Sequence, residues 1–220
     1  MREPAPPCPR GHGTYVKSRS GRLLAFEGLD GCGKTTQVER LAARLSAAGH
    51  DVLATREPTD GEWGRRIRAR TLEGERAEPA EELRWFLEDR REHVAREIAP
   101  ALEAGRVVLT DRYTLSTVAY QGARGIDWRT LLAEAEAEFP VPDLVVLLEL
   151  EPATGMQRVR ARGGPREAFE DRENLERVAE IFRAIAADYV ARIPGSGSTD
   201  AVEVAIAACV DQRLGLPGFP

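Results

Sequence analysis

The chain has 220 residues, of which 42% are hydrophobic and 30% are charged, and its formal net charge at pH 7 is -5. This composition is ordinary for one globular domain, and the negative balance argues against nucleic acid as the main partner. No apolar run approaches the roughly 20 residues of a membrane-spanning helix, so we expect no membrane partner. Cys8, Cys32 and Cys209 show neither metal-ligand nor disulfide spacing, which indicates a cytoplasmic protein.

The start of the chain is polar and rich in proline, and it lacks the apolar core of a signal peptide. We expect residues 1–20 to be a flexible tail and residues 21–220 to form one domain. The first predicted strand is the apolar run at 23–26. The first predicted helix follows with apolar residues at helical spacing, which are Val38, Leu41, Ala42 and Leu45.

Between this strand and this helix, residues 28–35 fit the phosphate-binding pattern GxxxxGK[ST]. The main-chain N–H groups of such a loop converge on phosphate oxygens, and the helix N-terminus adds a partial positive charge. We expect Lys34 to face solvent and to reach the outer phosphates, and Thr35 to hold Mg²⁺. The alternative is a chance match. The composition argues against it, because only two of the 31 lysines and arginines are lysines, Lys17 and Lys34, and one of these two stands at the lysine of the pattern.

The predicted ATP-binding residues are Gly28, Leu29, Asp30, Gly31, Cys32, Gly33, Lys34, Thr35 and Thr36. Cys32 is either a reactive thiol at the helix N-terminus or a small residue whose N–H faces phosphate.

The later segments alternate between strands and helices. Strands are predicted at 51–55, 106–110, 144–150 and 189–193, and helices at 62–72, 79–103, 114–121, 127–138, 153–162, 171–188 and 200–214. Strands that are apolar on both faces and alternate with helices indicate an α/β fold with a parallel sheet between two layers of helices. Together with the loop, this pattern predicts a P-loop NTPase fold with a five-stranded sheet and functional residues at the carboxyl ends of the strands.

Charged residues follow two of the predicted strands. Arg56 comes after the second strand, and Asp111 and Arg112 come after the third. An aspartate at a strand end beside a phosphate loop can hold Mg²⁺, usually through water, and a neighbouring arginine can bind an anionic substrate. A structural Asp–Arg pair is the alternative for Asp111 and Arg112, and a surface ion pair with Glu57 or Asp60 is the alternative for Arg56.

A GTPase would usually carry an Asn-Lys-x-Asp segment, and this chain has none. Instead it carries FEGLDGCGKTTQ at 26–37, TREPTDG at 55–61, FxxxR at 86–90, DRYxxSxxAYQG at 111–122 and PDL at 142–144. In this order the segments resemble the thymidylate kinase family, over roughly residues 23 to 189. Members of that family transfer the γ-phosphoryl group of ATP to dTMP and give dTDP. The resemblance therefore implies ATP and dTMP as substrates, Mg²⁺ as cofactor and a homodimer.

The resemblance also implies roles for residues at the acceptor site. The positions that match the family's dTMP site are Asp30, Arg56, Phe86, Arg90, Arg112, Ser116, Tyr120 and Gln121. Asp30 matches the residue at the sugar and Arg56 the one at the phosphate. Phe86 matches the aromatic that stacks on thymine, and Arg90 the arginine that bonds the base. Tyr120 matches the aromatic that would crowd a ribose 2'-OH.

Purely structural roles stay open as alternatives at three of these positions. Asp30 is otherwise a carboxylate that braces the loop, and Tyr120 is otherwise a core tyrosine. Phe86 lies on an apolar helical stripe with Leu83 and Leu87, which is also typical of a core residue.

We expect residues 158–170 to form a small helical lid that keeps water away from the transferring phosphate. Gly31 stands where some family members carry an arginine in the loop, so the resemblance implies an arginine from the lid instead. Family members with a lid arginine commonly carry it directly before an apolar–Glu pair, and here Ala168 stands before Phe169-Glu170. The sequence therefore does not identify which lid arginine contacts the transferring phosphate. The predicted catalytic residues are Lys34, Asp30, Arg56, Asp111, Arg112, Arg160, Arg162 and Arg166, and the predicted metal-binding residues are Thr35 and Asp111. A solvated basic helix end is the alternative for the lid.

Two further functions remain possible from the sequence. One is a kinase for another nucleoside monophosphate, which Phe86, Arg90 and Tyr120 disfavour. The other is a nucleotide-binding protein that has lost activity, for which Ala168 and the short segment between Tyr189 and Thr199 leave room.

Overall fold

The computed structural model describes residues 20–73, 77–161, 163 and 172–216. In these ranges five strands form one sheet in the order β2-β3-β1-β4-β5, and every pair of neighbours is parallel. The strands are β1 (Arg22–Glu27), β2 (Val52–Arg56), β3 (Val107–Asp111), β4 (Leu144–Glu149) and β5 (Val190–Pro194). The expected tail at 1–20, apart from Ser20, and most of the expected lid at 158–170 lie outside the described residues.

Helices connect the strands. They are α1 (Lys34–Ala47), α2 (Glu62–Glu73), α3 (Pro79–His93), α4 (Ala99–Glu103), α5 (Thr114–Ala123), α6 (Trp128–Glu138), α7 (Pro152–Ala161), α8 (Arg172–Ala184) and α9 (Thr199–Leu214). The stretch predicted as one helix at 79–103 contains a π-helical segment, Val94–Ile98, between α3 and α4. Within the described ranges, no helix has both the length and the apolar character needed to cross a membrane.

The eighth helix ends four residues before the predicted position 188. Arg192 of β5 explains this end, because its guanidinium donates to the carbonyls of Phe182, Arg183 and Ile185 at 2.9, 3.0 and 2.8 Å. These carbonyls lie in or just after the last turn of α8, where a helix leaves acceptors without intrahelical partners. The chain can then turn and enter β5.

Two apolar layers cover the two faces of the sheet, as the prediction requires. Leu24 and Phe26 of β1 pack with α1 and α9 on one face. Leu23 and Ala25 pack on the other face with α5, α6, α8 and the π-helical segment. The side chains alternate because successive strand residues point to opposite faces. Each fully buried Leu or Phe contributes about 1.5–3 kcal/mol through the hydrophobic effect.

The register of the central strands brings three chain segments to one edge. Asp111 of β3 pairs with Phe26 of β1 on one side and with Arg56 of β2 on the other. The loops after β1, β2 and β3 therefore leave the sheet beside one another. The predicted α/β fold with a parallel five-stranded sheet is confirmed, and its carboxyl edge carries the residues described next.

Candidate active site

The phosphate-binding loop joins β1 directly to α1. Gly33, which precedes α1, has φ 101°, and Gly31 has φ 84°, so both lie in the left-handed region that favours glycine. The first intrahelical bond runs from the N–H of Gln37 to the carbonyl of Gly33 at 3.1 Å. Helix geometry leaves the N–H groups before that bond without intrahelical acceptors, so they form a ready anion site. The side chain of Cys32 is buried beneath the loop.

Lys34 folds back across this loop. Its Nζ donates to the carbonyl oxygens of Gly28 and Leu29, each at 3.0 Å, and lies 4.0 Å from a carboxylate oxygen of Asp30. Only 6% of the residue is exposed. The expectation that Lys34 faces solvent is wrong, because the loop surrounds the ammonium group and two loop carbonyls accept hydrogen bonds from it.

Thr35 and Asp111, the predicted metal-binding pair, lie together. The hydroxyl of Thr35 donates to Oδ2 of Asp111 at 2.5 Å. Hydroxyl and carboxylate oxygens are hard ligands of the kind that Mg²⁺ prefers. Both residues line a cavity of about 150 Å³ between the loop and the ends of β2 and β3.

Arg112 has the conformation that a side-chain-bearing residue rarely adopts, with φ 71°. Its guanidinium donates to Asp30 at 2.5 Å and to Ser116 at 2.9 Å, and it lies over the ring of Tyr120 at 5.2 Å. Burial lowers the pKa of Arg112, but the charge of Asp30 and other nearby groups outweighs burial and leaves the pKa well above its usual value. Strained backbone of this kind is often found at functional sites.

Glu27 is a site residue that the sequence analysis missed. It is fully buried and accepts bonds from the N–H of Tyr113 at 3.0 Å, the N–H of Ser116 at 3.1 Å and the hydroxyl of Ser116. Burial raises the pKa of Glu27, although the Ser116 bond and the charge of Arg112 oppose the change. A glutamate at the end of the apolar run 23–26 was the signal. Through these hydrogen bonds Glu27 fixes the turn that carries Arg112 and the start of α5.

Arg56 faces the same cavity from the end of β2. Its guanidinium forms an ion pair with Asp60 at 3.0 Å, and Arg68 of α2 contacts the same carboxylate at 2.8 Å. The alternative of a surface ion pair with Asp60 is therefore realised in this structure. Both partners are exposed, so the pair is weak and can exchange for a substrate anion.

Arg90 is buried in a cluster that α3 and β2 build together. Its Nε and Nη2 donate to Glu57 at 3.0 and 2.6 Å, and Nη2 also donates to Thr117 at 2.9 Å. His93 contacts the other oxygen of Glu57 at 3.0 Å and Thr55 at 2.8 Å. Burial alone would raise the pKa of Glu57, but Arg90 and His93 lower it below its usual value.

The sequence predicted a base contact for Arg90 but none of its partners within the protein, and it predicted no role for His93. Glu57 was considered only as a partner for Arg56, yet it binds Arg90 instead. Glu57 follows directly after β2, and no local signal pairs it with Arg90, which lies 33 residues further along the chain.

Phe86 lies on α3 one turn before Arg90 and is half-buried. Its neighbours Leu83 and Leu87 pack against the core cluster, which leaves Phe86 at the rim of that cluster. Tyr120 does pack against the core, so the core alternative has support at that position. Gln121 is almost fully buried and donates from Nε2 to Glu82 at 3.0 Å.

The helix α7 follows β4, contacts the phosphate-binding loop and leads into the expected lid. A Cβ on Gly31 would lie 2.4 Å from the carbonyl oxygen of Gly155 of α7, so the two backbones touch and no side chain fits between them. Arg158 donates to the carbonyl of Gly195 at 2.9 Å and approaches that of Gly31 at 3.4 Å. Arg160 is exposed at the end of α7. Arg162 and Arg166 lie outside the described residues.

A phosphate loop after the central strand, an oxygen pair suited to Mg²⁺ and two arginines facing the loop define a P-loop kinase of small anionic substrates. The family model described as thymidylate kinase matches residues 26–206. A thymidylate kinase of Desulfotalea psychrophila is 42% identical over 200 residues, which cover 90% of this chain and 98% of the relative. A thymidylate kinase of Xanthomonas campestris pv. campestris is 45% identical over 208 residues, which cover 92% and 91%. The chain belongs to the thymidylate kinase family.

Proposed function

We propose that the protein transfers the γ-phosphoryl group of ATP to dTMP and releases dTDP and ADP. Membership of the family over residues 26–206 supports this activity. The observation that carries it is the cavity of about 150 Å³, which Lys34, Thr35 and Asp111 line together with Arg56 and Arg112. Donor-binding and acceptor-binding groups thus surround one space, which is what direct transfer between two nucleotides requires.

The chemistry follows from charge. Two nucleotide phosphates repel each other, and the transferring group carries its charge on its outer oxygens. Lys34, Arg56 and Arg112 bring positive charge to these oxygens, and positioned charges of this kind supply most of the rate enhancement in such reactions. Mg²⁺ held near Thr35 and Asp111 would neutralise donor phosphate charge. The neighbouring N–H groups at the start of α1 hold the donor phosphates in place.

The acceptor is proposed to extend from the cavity towards α3 and α5. Its phosphate would replace Asp60 as the partner of Arg56 and Asp30 as the partner of Arg112. Asp30 would then accept a hydrogen bond from the sugar hydroxyl. Ser116 keeps the Arg112 guanidinium in place through their bond at 2.9 Å. The base would stack on Phe86, which the core leaves accessible, between Arg90 and Gln121. Tyr120 would close the sugar side.

The remaining proposals rest on the sequence and on its resemblance to the family. A lid at 158–170 would bring Arg160, Arg162 or Arg166 to the transferring phosphate, with Gly163 at a hinge. The domain would span residues 21–220 after a flexible tail at 1–20. The protein would be a cytoplasmic homodimer, and its partners would be ATP and dTMP rather than nucleic acid or a membrane.

A coupled assay with five acceptors tests the activity. ADP formation is measured at saturating ATP and Mg²⁺ with dTMP, dUMP, CMP, AMP and GMP. We expect the highest kcat/KM with dTMP. Preferred turnover of AMP or GMP would contradict the acceptor assignment, and bound ATP without turnover of any acceptor would contradict a working kinase.

A further inference from the structure

The seam between α3 and α5 has a regular geometry. Glu82, Phe86 and Arg90 follow one another at four-residue steps on α3, and Thr117 and Gln121 do so on α5. Arg90 donates to Thr117 at 2.9 Å and Gln121 donates to Glu82 at 3.0 Å, so the two helices run antiparallel with two bridges between them. Four residues of helix rise about 6 Å. Phe86 therefore sits between the bridges.

Each bridge leaves one polar atom unsatisfied. Among the residues that the structure describes, Nη1 of Arg90 and Oε1 of Gln121 are buried without a hydrogen-bond partner. Both residues are only 1% exposed. Buried polar atoms in folded proteins almost always have partners, and a bound ligand is one way to supply them. The seam thus offers a donor at one end and an acceptor at the other, on either side of Phe86.

We propose that Glu82 is a positioning residue that fixes the side-chain amide of Gln121 and thereby makes the acceptor site select a pyrimidine with an N3–H group. This inference rests on the proposed function, because it assumes that the base lies on Phe86. A carboxylate only accepts hydrogen bonds, so the NH₂ group of Gln121 must turn towards Glu82. Oε1 is then the atom that remains for the ligand.

Arg124 holds the carboxylate of Glu82 in place. It forms an ion pair with the same Glu82 oxygen that accepts from Gln121. Its other terminal nitrogen donates to the carbonyl of Ala77 at 2.7 Å. The guanidinium is therefore anchored on two sides, and it holds the Glu82 carboxylate in place.

The base chemistry matches the two unsatisfied atoms. Thymine and uracil carry a donor at N3 next to an acceptor at O4, whereas cytosine carries an acceptor at N3 next to an amino donor. Oε1 of Gln121 accepts from N3–H, and Nη1 of Arg90 donates to O4. Cytosine would place its N3 acceptor against the acceptor Oε1 and its amino donor against the donor Nη1. Arginine cannot reverse its role, but an amide reverses when it rotates, and Glu82 prevents that rotation.

The test is Glu82→Gln, with kcat/KM measured for dTMP, dUMP and dCMP. A glutamine at 82 accepts or donates, so Gln121 is free to present either end. We expect kcat/KM for dTMP to fall roughly tenfold to a hundredfold and the preference for dTMP over dCMP to fall by a similar factor. The ratio of dTMP to dUMP should not change, because the 5-methyl group is remote from the amide.

Matched variants separate positioning from general damage. Glu81→Gln makes the same chemical change one residue earlier, at an exposed side chain, and should leave all three values unchanged. Glu82→Asp keeps an acceptor-only group and should retain the preference for dTMP over dCMP. Ratios between acceptors do not depend on the fraction of folded enzyme, so loss of stability cannot imitate the effect.

A double-mutant cycle completes the test. In a Gln121→Ala background, Glu82→Gln should change the dTMP to dCMP ratio no further. An unchanged ratio in Glu82→Gln, or an equal drop in both backgrounds, would overturn the role of Glu82 and leave the kinase assignment standing. A wild-type enzyme without preference for dTMP over dCMP would instead count against the proposed function itself.

Discussion

The two ends of the proposed acceptor site form ion pairs of the same kind at very different depths. At the phosphate end, the side chains of Arg56 and Asp60 are 62% and 74% exposed. At the base end, those of Arg90 and Glu57 are 1% and 5% exposed. An exposed pair gains little and exchanges partners readily, whereas breaking a buried pair leaves a charge without compensation. We therefore expect the ion pair at the proposed phosphate end to exchange partners when substrate binds, and the pair at the proposed base end to stay in place.

Lys34→Ala should give the largest effect, because it removes a charge that acts on the transferring phosphate. We expect kcat to fall about a thousandfold or more, which corresponds to roughly 4 kcal/mol of transition-state stabilisation. Steady-state kinetics with ATP and dTMP measures this. Arg44→Ala, a loss of positive charge at the far end of α1, should retain normal kcat. Near-normal turnover of Lys34→Ala would contradict the phosphate-loop assignment.

Glu57→Gln should give the largest effect on stability, because it leaves Arg90 charged and buried without its partner. We expect a loss of about 3 kcal/mol in the free energy of unfolding at pH 7, measured by urea denaturation. The pKa of Glu57 is lowered from 4.5 in the folded state, so its stabilising contribution exists above that pH and is lost on acidification. The difference between wild type and variant should therefore shrink as the pH falls below 4.5. A difference that does not depend on pH would contradict the ion-pair explanation.

Arg56→Ala should weaken acceptor binding rather than donor binding. A charged hydrogen bond to the acceptor phosphate accounts for roughly 2 kcal/mol, so KM for dTMP should rise about tenfold to a hundredfold. KM for ATP should change far less, because the donor phosphates are bound by the loop. An unchanged KM for dTMP would show that Arg56 has only its ion pair with Asp60.

Asp60→Asn should have the smallest effect and provides the matched comparison for Glu57→Gln. Both substitutions convert an arginine-bound carboxylate into an amide, but this pair is exposed. We expect a change of only about 0.5 kcal/mol in the free energy of unfolding and an equal or lower KM for dTMP. A loss of stability as large as that of Glu57→Gln would remove the distinction between the two ends.

The sequence was most informative where the signal is local. The apolar runs predicted the strands to within about a residue, and the two residues predicted to bind Mg²⁺, Thr35 and Asp111, do lie in contact. The pattern could not reveal that Lys34 folds back onto the carbonyls of its own loop, because this depends on how the loop curls. Nor does helical periodicity mark the π-helical segment, because its 5 residues make only about one turn.

The supporting carboxylates were hidden for a different reason. Glu57 lies 33 residues from Arg90, and Glu82 lies 39 residues from Gln121. A single sequence carries no record of such pairings, since any of many charged residues could have met Arg90 on a helix face. Resemblance to the family pointed to Arg90 and Gln121 themselves, but it did not show which groups hold them in position.

The most direct test of the account is a crystal structure with dTMP and a non-hydrolysable ATP analogue. We expect Arg56 and Arg112 to have left Asp60 and Asp30 for the acceptor phosphate, while Arg90 remains on Glu57 and Gln121 on Glu82. Nη1 of Arg90 should donate a hydrogen bond to O4 of thymine, and Oε1 of Gln121 should accept one from N3–H. A base bound away from Phe86, or an Arg90 that has released Glu57, would contradict the account.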